Sequence, residues 1–192
     1  MADNATASRR PTQAVQPSTI HLVRHADAGP RTSTPQDRSR SLSVEGHRQA
    51  RAITTWLDPG PRGNVLSSPY VRCVQTVEPI AVLSGRDVIL TRELAEGSEF
   101  APLVDLLAEV PAGSILCTHG DMLNAVIRWL ESNQTRMRGP ASLEKGVVWA
   151  LSRVGRRFPQ AAPIPPLTPR VDALAALGRL QQGRRSRQIP RR

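Results

Sequence analysis

The chain has 192 residues, 39% of them hydrophobic, and a formal net charge of +10. That length suits one ordinary domain with tails and is ample for a buried core. The charge is not spread over the domain: residues 19–152 hold thirteen Arg and one Lys against six Asp and eight Glu, a balance of zero, while residues 153–192 hold ten Arg against one Asp.

A neutral domain offers no broad footprint for a duplex, so no specific nucleic acid is expected as a partner, whereas the basic tail is suited to an acidic one. Cys73 and Cys117 have neither zinc-ligand nor redox-pair spacing and read as buried packing thiols. No stretch approaches the roughly eighteen apolar residues of a membrane span. Met1 to Ser18 is polar, without the apolar centre of a secretory signal, which makes the cytoplasm the expected location.

The first predicted strand covers 19–24 and is closed by His25. A polar loop runs to about Ser41, then a helix is predicted from Ser43 to Leu57, with Val44, Ala50, Ile53 and Leu57 near helical spacing. Asn64 to Ser67 is a short strand. Ser68 is expected to cap the next helix and Pro69 to take its first position, with Val71, Val74, Val77, Ile80 and Ala81 as its inner stripe until Gly85. A strand at Asp87 to Leu90, a loop at 91–99 and a helix from about Ala101 to Val110 follow. Ser114 to Thr118 is the strand before His119-Gly120, Asp121 to Leu130 a helix, and Gly146 to Leu151 a last strand.

This alternation implies an α/β fold with a mostly parallel sheet between helical layers. Three regions are expected: a disordered tail at 1–18, a domain at 19–154 and a mostly disordered Pro/Arg-rich tail at 155–192. Five prolines lie between Phe158 and Pro169, and the end of the chain is rich in arginine. Within that tail, Val171, Leu174, Leu177 and Leu180 have the spacing of one short amphipathic helix, too short to be stable alone.

Two imidazoles at two strand ends can converge, because ligands of open α/β sheets bind beyond the carboxyl ends of the strands. Arg24, beside His25, points to an anionic, phosphorylated substrate. A neutral imidazole nitrogen can accept a phosphoryl group, giving a phosphohistidine that water later hydrolyses, if the ring is fixed and the oxygens are neutralised. His25 is the candidate nucleophile. Arg24 and Arg72 are candidate phosphate ligands, and His119 completes the clamp at the start of a helix. The leaving oxygen needs a proton, for which Glu93 and Glu96 are the candidates. His21, in mid-strand, and His47, among charged helix residues, read as structural.

Leu22-Val23-Arg24-His25-Ala26, the segment Ser67 to Thr76 and Thr118-His119-Gly120 together resemble the histidine phosphatase superfamily, also called phosphoglycerate mutase-like, over roughly residues 19–152. The resemblance implies a three-layer α/β/α fold without a large lid insertion and a phosphohistidine intermediate on His25. It also implies a phosphate pocket of Arg24, Arg72 and His119, no metal and no cofactor, and a general acid near Glu93, which fits the family pattern better than Glu96. Arg38 or Arg40 with Ser41-Leu42-Ser43 and Gly46 resembles a segment of the short bacterial SixA-like phosphohistidine phosphatases. Tyr70 to Pro79 also resembles the phosphatase domain attached to some bacterial Nudix hydrolases, which keeps nucleotides open as substrates.

Two positions depart from the family. Ala26 stands where most members have Gly. Asp121 follows His119-Gly120 where a neutral residue is usual, and its carboxylate repels a dianion unless it serves the helix terminus. The expected activity is hydrolysis of a phosphorylated small molecule, a nucleotide or a phosphohistidine protein. A mutase ranks lower, since it must shield a phosphoenzyme from water and needs a lid. The third alternative is a non-catalytic phosphate- or polyanion-binding module.

Overall fold

The computed structural model describes residues 17–31, 35–57, 60 and 62–166. The expected short helix near 171–180, the arginine-rich end and residues 1–16 of the N-terminal tail lie outside the described residues, while Ser18 belongs to the first strand.

Among the described residues, seven strands form one sheet: β1 (Ser18–Arg24), β2 (Val65–Ser67), β3 (Val88–Leu90), β4 (Ile115–Thr118), β5 (Arg136–Met137), β6 (Val148–Val154) and β7 (Arg157–Ile164). Their order is β3-β2-β4-β1-β6-β7-β5. Four pairings are parallel, namely β1 with β4, β2 with β3, β2 with β4, and β5 with β7; β6 is antiparallel to both β1 and β7. The helices are α1 (Val44–Trp56), α2 (Val71–Ser84), α3 (Phe100–Glu109) and α4 (Gly120–Ser132).

Alternation along the central strands sends side chains to two opposed cores. Ile20 and Leu22 of β1, Leu66 of β2 and Leu116 of β4 join Leu103 and Leu107 of α3 and Leu123, Val126 and Ile127 of α4. Val23, Val65, Ile115 and Cys117 face the other way, onto Ile53 of α1 and Cys73, Val77 and Ile80 of α2. Covered on both faces, β2 and β4 are buried at every residue. The result is the three-layer α/β/α architecture with a mostly parallel sheet. Cys73 and Cys117 are free, buried thiols in the second core.

Two expectations are corrected. Residues 157–164 are not a disordered tail but strand β7, which follows β6 through a turn at Gly155 (φ 57°) and buries Phe158 and Ala161. The domain therefore continues past residue 154. The prolines fit because each avoids a ladder donor. Pro163 has the parity of Ala161, whose carbonyl faces β5 by accepting from Arg138 N–H, so the missing Pro163 N–H falls on the edge away from β6. Pro159 lies at the register shift between Ser152↔Gln160 and Val154↔Arg157. The second correction concerns α2, which begins at Val71 with Tyr70 as its extended cap residue. Ser68 does not cap it; its hydroxyl is committed to His119.

Candidate active site

In-register parallel pairing brings the functional residues together. Arg24 of β1 lies opposite Thr118 of β4, and Ser67 of β2 opposite Cys117, so His25, His119 and Ser68 all emerge at one sheet end. The backbone locks that end: His25 N–H donates to Thr118 O at 2.9 Å and Ser68 N–H to Cys117 O at 3.0 Å. There a cleft of about 410 Å³ opens, lined among others by Arg24, His25, Arg40, Arg72, Glu96 and His119.

His25 is 6% exposed. Its Nδ1 lies 2.8 Å from Ala26 O, and because a carbonyl can only accept, the ring proton sits on Nδ1 and the lone pair on Nε2. Burial, with Arg72, Arg24 and Arg40 nearby, lowers its pKa to about 4, so the ring is neutral at pH 7. The loop behind it is held just as firmly. Thr76 Oγ1 accepts from Ala26 N–H at 3.0 Å and donates to Arg72 O at 2.6 Å. The Asp27 carboxylate accepts from Lys145 Nζ at 2.7 Å and Ser43 Oγ–H at 2.5 Å, bonds that, in that order, bring its pKa down to about 2. Gly46 is required here by close approach: a Cβ would sit 1.8 Å from Asp27 O.

The ring of His119 lies 5.4 Å from that of His25, centroid to centroid, and packs edge-on to Tyr70 at 4.6 Å. Arg72 Nη2, purely a donor, is 3.3 Å from His119 Nδ1, so Nδ1 accepts and Nε2–H donates to Ser68 Oγ at 2.8 Å. Burial first, then the proximity of His25 and Arg72, lowers the His119 pKa to about 2. A bound dianion reverses the charge contribution and favours a proton on Nδ1.

Arg72 is 1% exposed and stacks on Tyr70 with its Cζ 4.7 Å from the ring centroid. It pairs with Asp37 Oδ2 and Glu96 Oε2, both at 3.0 Å. Arg24 packs its guanidinium against Gly120, where a Cβ would approach within 2.9 Å, and donates to Leu143 O. The Nε atoms of both Arg24 and Arg72 are buried without a hydrogen-bond partner. Orphaned buried N–H groups are costly, and two at the rim of one cleft, each on a cation, are donors suited to an anion.

The two acid candidates separate. Glu96 lines the cleft, bridging Arg72 and the exposed Arg31, whose Nη1 is 3.2 Å from Oε1. Glu93, in the 3₁₀ turn Arg92–Leu94, is not among the cleft-lining residues. Asp121, whose charge sat awkwardly in the sequence, accepts Gly97 N–H at 2.8 Å and fastens the Glu96 loop to the first turn of α4. Sequence reasoning missed Asp37, Ser68 as a His119 partner, and Tyr70 as the platform under Arg72 and His119. Among the described residues no group of three or more His, Cys, Asp or Glu is placed to hold a metal ion, and no helix is long and apolar enough to cross a membrane.

Residues 20–99 match the family described as the Histidine phosphatase superfamily (branch 1). An 8-oxo-(d)GTP phosphatase of Mycolicibacterium smegmatis is 30% identical over 145 residues, covering 72% of this chain and 45% of that protein. The chain thus spans less than half the length of that relative. Among solved structures, SixA from Agrobacterium tumefaciens superposes with a TM-score of 0.56 at 22% identity, covering 72% of this chain and 96% of that one. The protein histidine phosphatase SixA complexed with tungstate gives 0.59 at 16% identity, covering 78% and 96%.

Proposed function

The chain belongs to the histidine phosphatase superfamily, and from that premise we propose that it hydrolyses phosphomonoesters or phosphohistidine through a covalent phosphohistidine on His25. The observation that carries this is the ring of His25. Its Nδ1–H donates to Ala26 O, its pKa is lowered to about 4, and it faces a cleft where two buried guanidinium N–H groups lack partners.

Substrate phosphate binds with its oxygens on Arg24, Arg72 and His119. His25 Nε2 attacks phosphorus, the N–P bond forms, and the bond to the leaving oxygen breaks. Glu96 supplies the proton to that oxygen. Before substrate binds, its carboxylate is paired with Arg72 and Arg31. Once phosphate takes over Arg72 Nη2, Glu96 is released toward the leaving oxygen, and the proton it passes on is the one that a monoanionic phosphomonoester brings into the cleft. Water then attacks phosphorus and returns a proton to Glu96, and the N–P bond breaks to release phosphate and neutral His25.

Two substrate classes fit this chemistry. A phosphohistidine protein suits the SixA-like fold, and a nucleotide is favoured by the 30% identity to the 8-oxo-(d)GTP phosphatase. A mutase fits less well, since the seven-stranded sheet and four helices leave the cleft without a lid among the described residues. The decisive experiment is hydrolysis of p-nitrophenyl phosphate by the purified chain and by His25→Ala, in chelator. A loss on the order of a thousandfold or more is expected. Equal, negligible rates in both proteins, with no incorporation of radiolabelled phosphate into wild type, overturn the proposal in favour of a phosphate-binding module.

A further inference from the structure

The Arg72 guanidinium is a planar fork with two usable edges. On one edge, Nη2 is shared between Glu96 Oε2 at 3.0 Å and His119 Nδ1 at 3.3 Å, and Nε has no partner. The remaining nitrogen, Nη1, is gripped twice by one residue, Asp37, through its backbone O at 2.7 Å and its Oδ2 at 3.0 Å. Asp37 belongs to the 3₁₀ turn Pro35–Ser39 and is 9% exposed. Its other oxygen, Oδ1, accepts from Arg40 Nε at 2.8 Å. Arg40 is fastened in turn, with Nη1 donating to Ala28 O at 2.7 Å and Gly29 O at 3.2 Å, in the loop that follows His25.

We infer that Asp37 is a positioning residue: it holds Nη1 so that the Nε–Nη2 edge of Arg72 meets two oxygens of one phosphoryl group. This rests on the phosphatase reading of the cleft. Glu96 already supplies a negative charge to Arg72, so neutralisation alone does not call for a second carboxylate. What Asp37 adds is orientation. It binds the edge that phosphate does not need, from a turn tied through Arg40 to the backbone beside His25. When phosphate displaces Glu96 from Nη2, Asp37 still holds the guanidinium, so the fork does not have to be reoriented during turnover.

A double-mutant cycle on the full chain tests it, with affinity for inorganic phosphate measured by calorimetry and kcat/KM by p-nitrophenyl phosphate hydrolysis. Asp37→Asn, whose single amide oxygen cannot accept from both Arg72 Nη1 and Arg40 Nε, is expected to weaken phosphate binding about tenfold and to lower kcat/KM at least as much, the scale of a misplaced hydrogen bond to a charged group. In an Arg72→Lys background, which has no fork to orient, Asp37→Asn is expected to add less than about a twofold loss. A loss of equal size in both backgrounds overturns the inference, because a merely structural role does not depend on the fork. Wild-type affinity in Asp37→Asn overturns it as well while leaving the phosphatase reading intact. Failure of the wild-type chain to bind phosphate removes both. If thermal melting shows that Asp37→Asn does not fold, Asp37→Ser enters the same cycle.

Discussion

The two halves of the sheet are put to different uses. Strands β1, β2 and β4 run parallel, and each ends at a residue that enters the site: His25, Ser68 and His119. Strands β6 and β7 form an antiparallel hairpin that contributes core, with Val148, Trp149, Leu151, Phe158 and Ala161 all buried. Parallel strands point their carboxyl ends the same way, so three chain segments far apart in sequence meet without any special loop. An antiparallel hairpin alternates its ends and cannot do that. Its link to the cleft is indirect, through the preceding loop, where Leu143 O receives Arg24, Lys145 reaches Asp27, and Gly146 N–H donates to His25 O.

If that division holds, stability and activity separate cleanly. The largest effect is expected from Phe158→Ala, which empties a buried site that packs edge-on to Trp129 at 5.8 Å. Urea denaturation should show a loss of about 3–5 kcal/mol. At temperatures where the variant is folded, kcat/KM should stay within about twofold of wild type. A large kinetic defect in fully folded Phe158→Ala breaks the comparison, because it makes the hairpin part of the site.

The converse comes from the parallel half. Glu96→Gln is expected to cost about a hundredfold or more in kcat on a substrate with a poor leaving group such as an alkyl phosphate. On p-nitrophenyl phosphate, whose leaving group needs no proton, little loss is expected in kcat/KM, which reports formation of the phosphohistidine and not the later attack of water that Glu96 also assists. Stability should barely change, because the amide oxygen that replaces the carboxylate can still accept from Arg72. Glu93→Gln should lie within about twofold of wild type on both substrates. Leaving-group-dependent loss in Glu93→Gln instead reverses the assignment.

What the sequence made legible follows the same line. His25 and His119 stood out because each closes an apolar β-run, and Arg72 because it falls in the first turn of a helix beside a strand end. The choice between Glu93 and Glu96 was not legible, since it depends on the rotation of one short turn. Leu94 is buried, its carbonyl receives Thr118 Oγ1–H at 2.8 Å, and Gly97 (φ 72°) turns the chain with its N–H on Asp121. Those restraints come from β4 and α4, remote in sequence. Asp37 was hidden for a related reason: its partners, Arg72 and Arg40, lie on a helix and a loop that no periodicity connects. Strand β7 was obscured by its prolines, whose compatibility depends on which edge of β7 stays open.

The smallest effect expected is a pH effect on stability, and it belongs to the parallel half. Folded His25 titrates at about 4 and His119 at about 2, against an ordinary 6.5. Between those values and 6.5 the unfolded chain binds protons that the folded chain does not, so stability rises with pH. The contribution is complete above 6.5 and is lost as pH falls from there, through about 4 for His25 and about 2 for His119. Asp27, held near 2, acts with the same sign only at lower pH, below its ordinary 3.8. Near pH 5.5 the histidines are therefore the groups to watch. Urea melts at pH 7.0, 6.0 and 5.5 should show wild type losing on the order of 1 kcal/mol per histidine, and His25→Ala, with one such group fewer, should fall less steeply by about that amount. An identical slope in the two proteins means that His25 is not held neutral by the fold. In that case it does not enter catalysis as a preformed, unprotonated nucleophile, and the fixed ring at the end of β1 loses its chemical purpose.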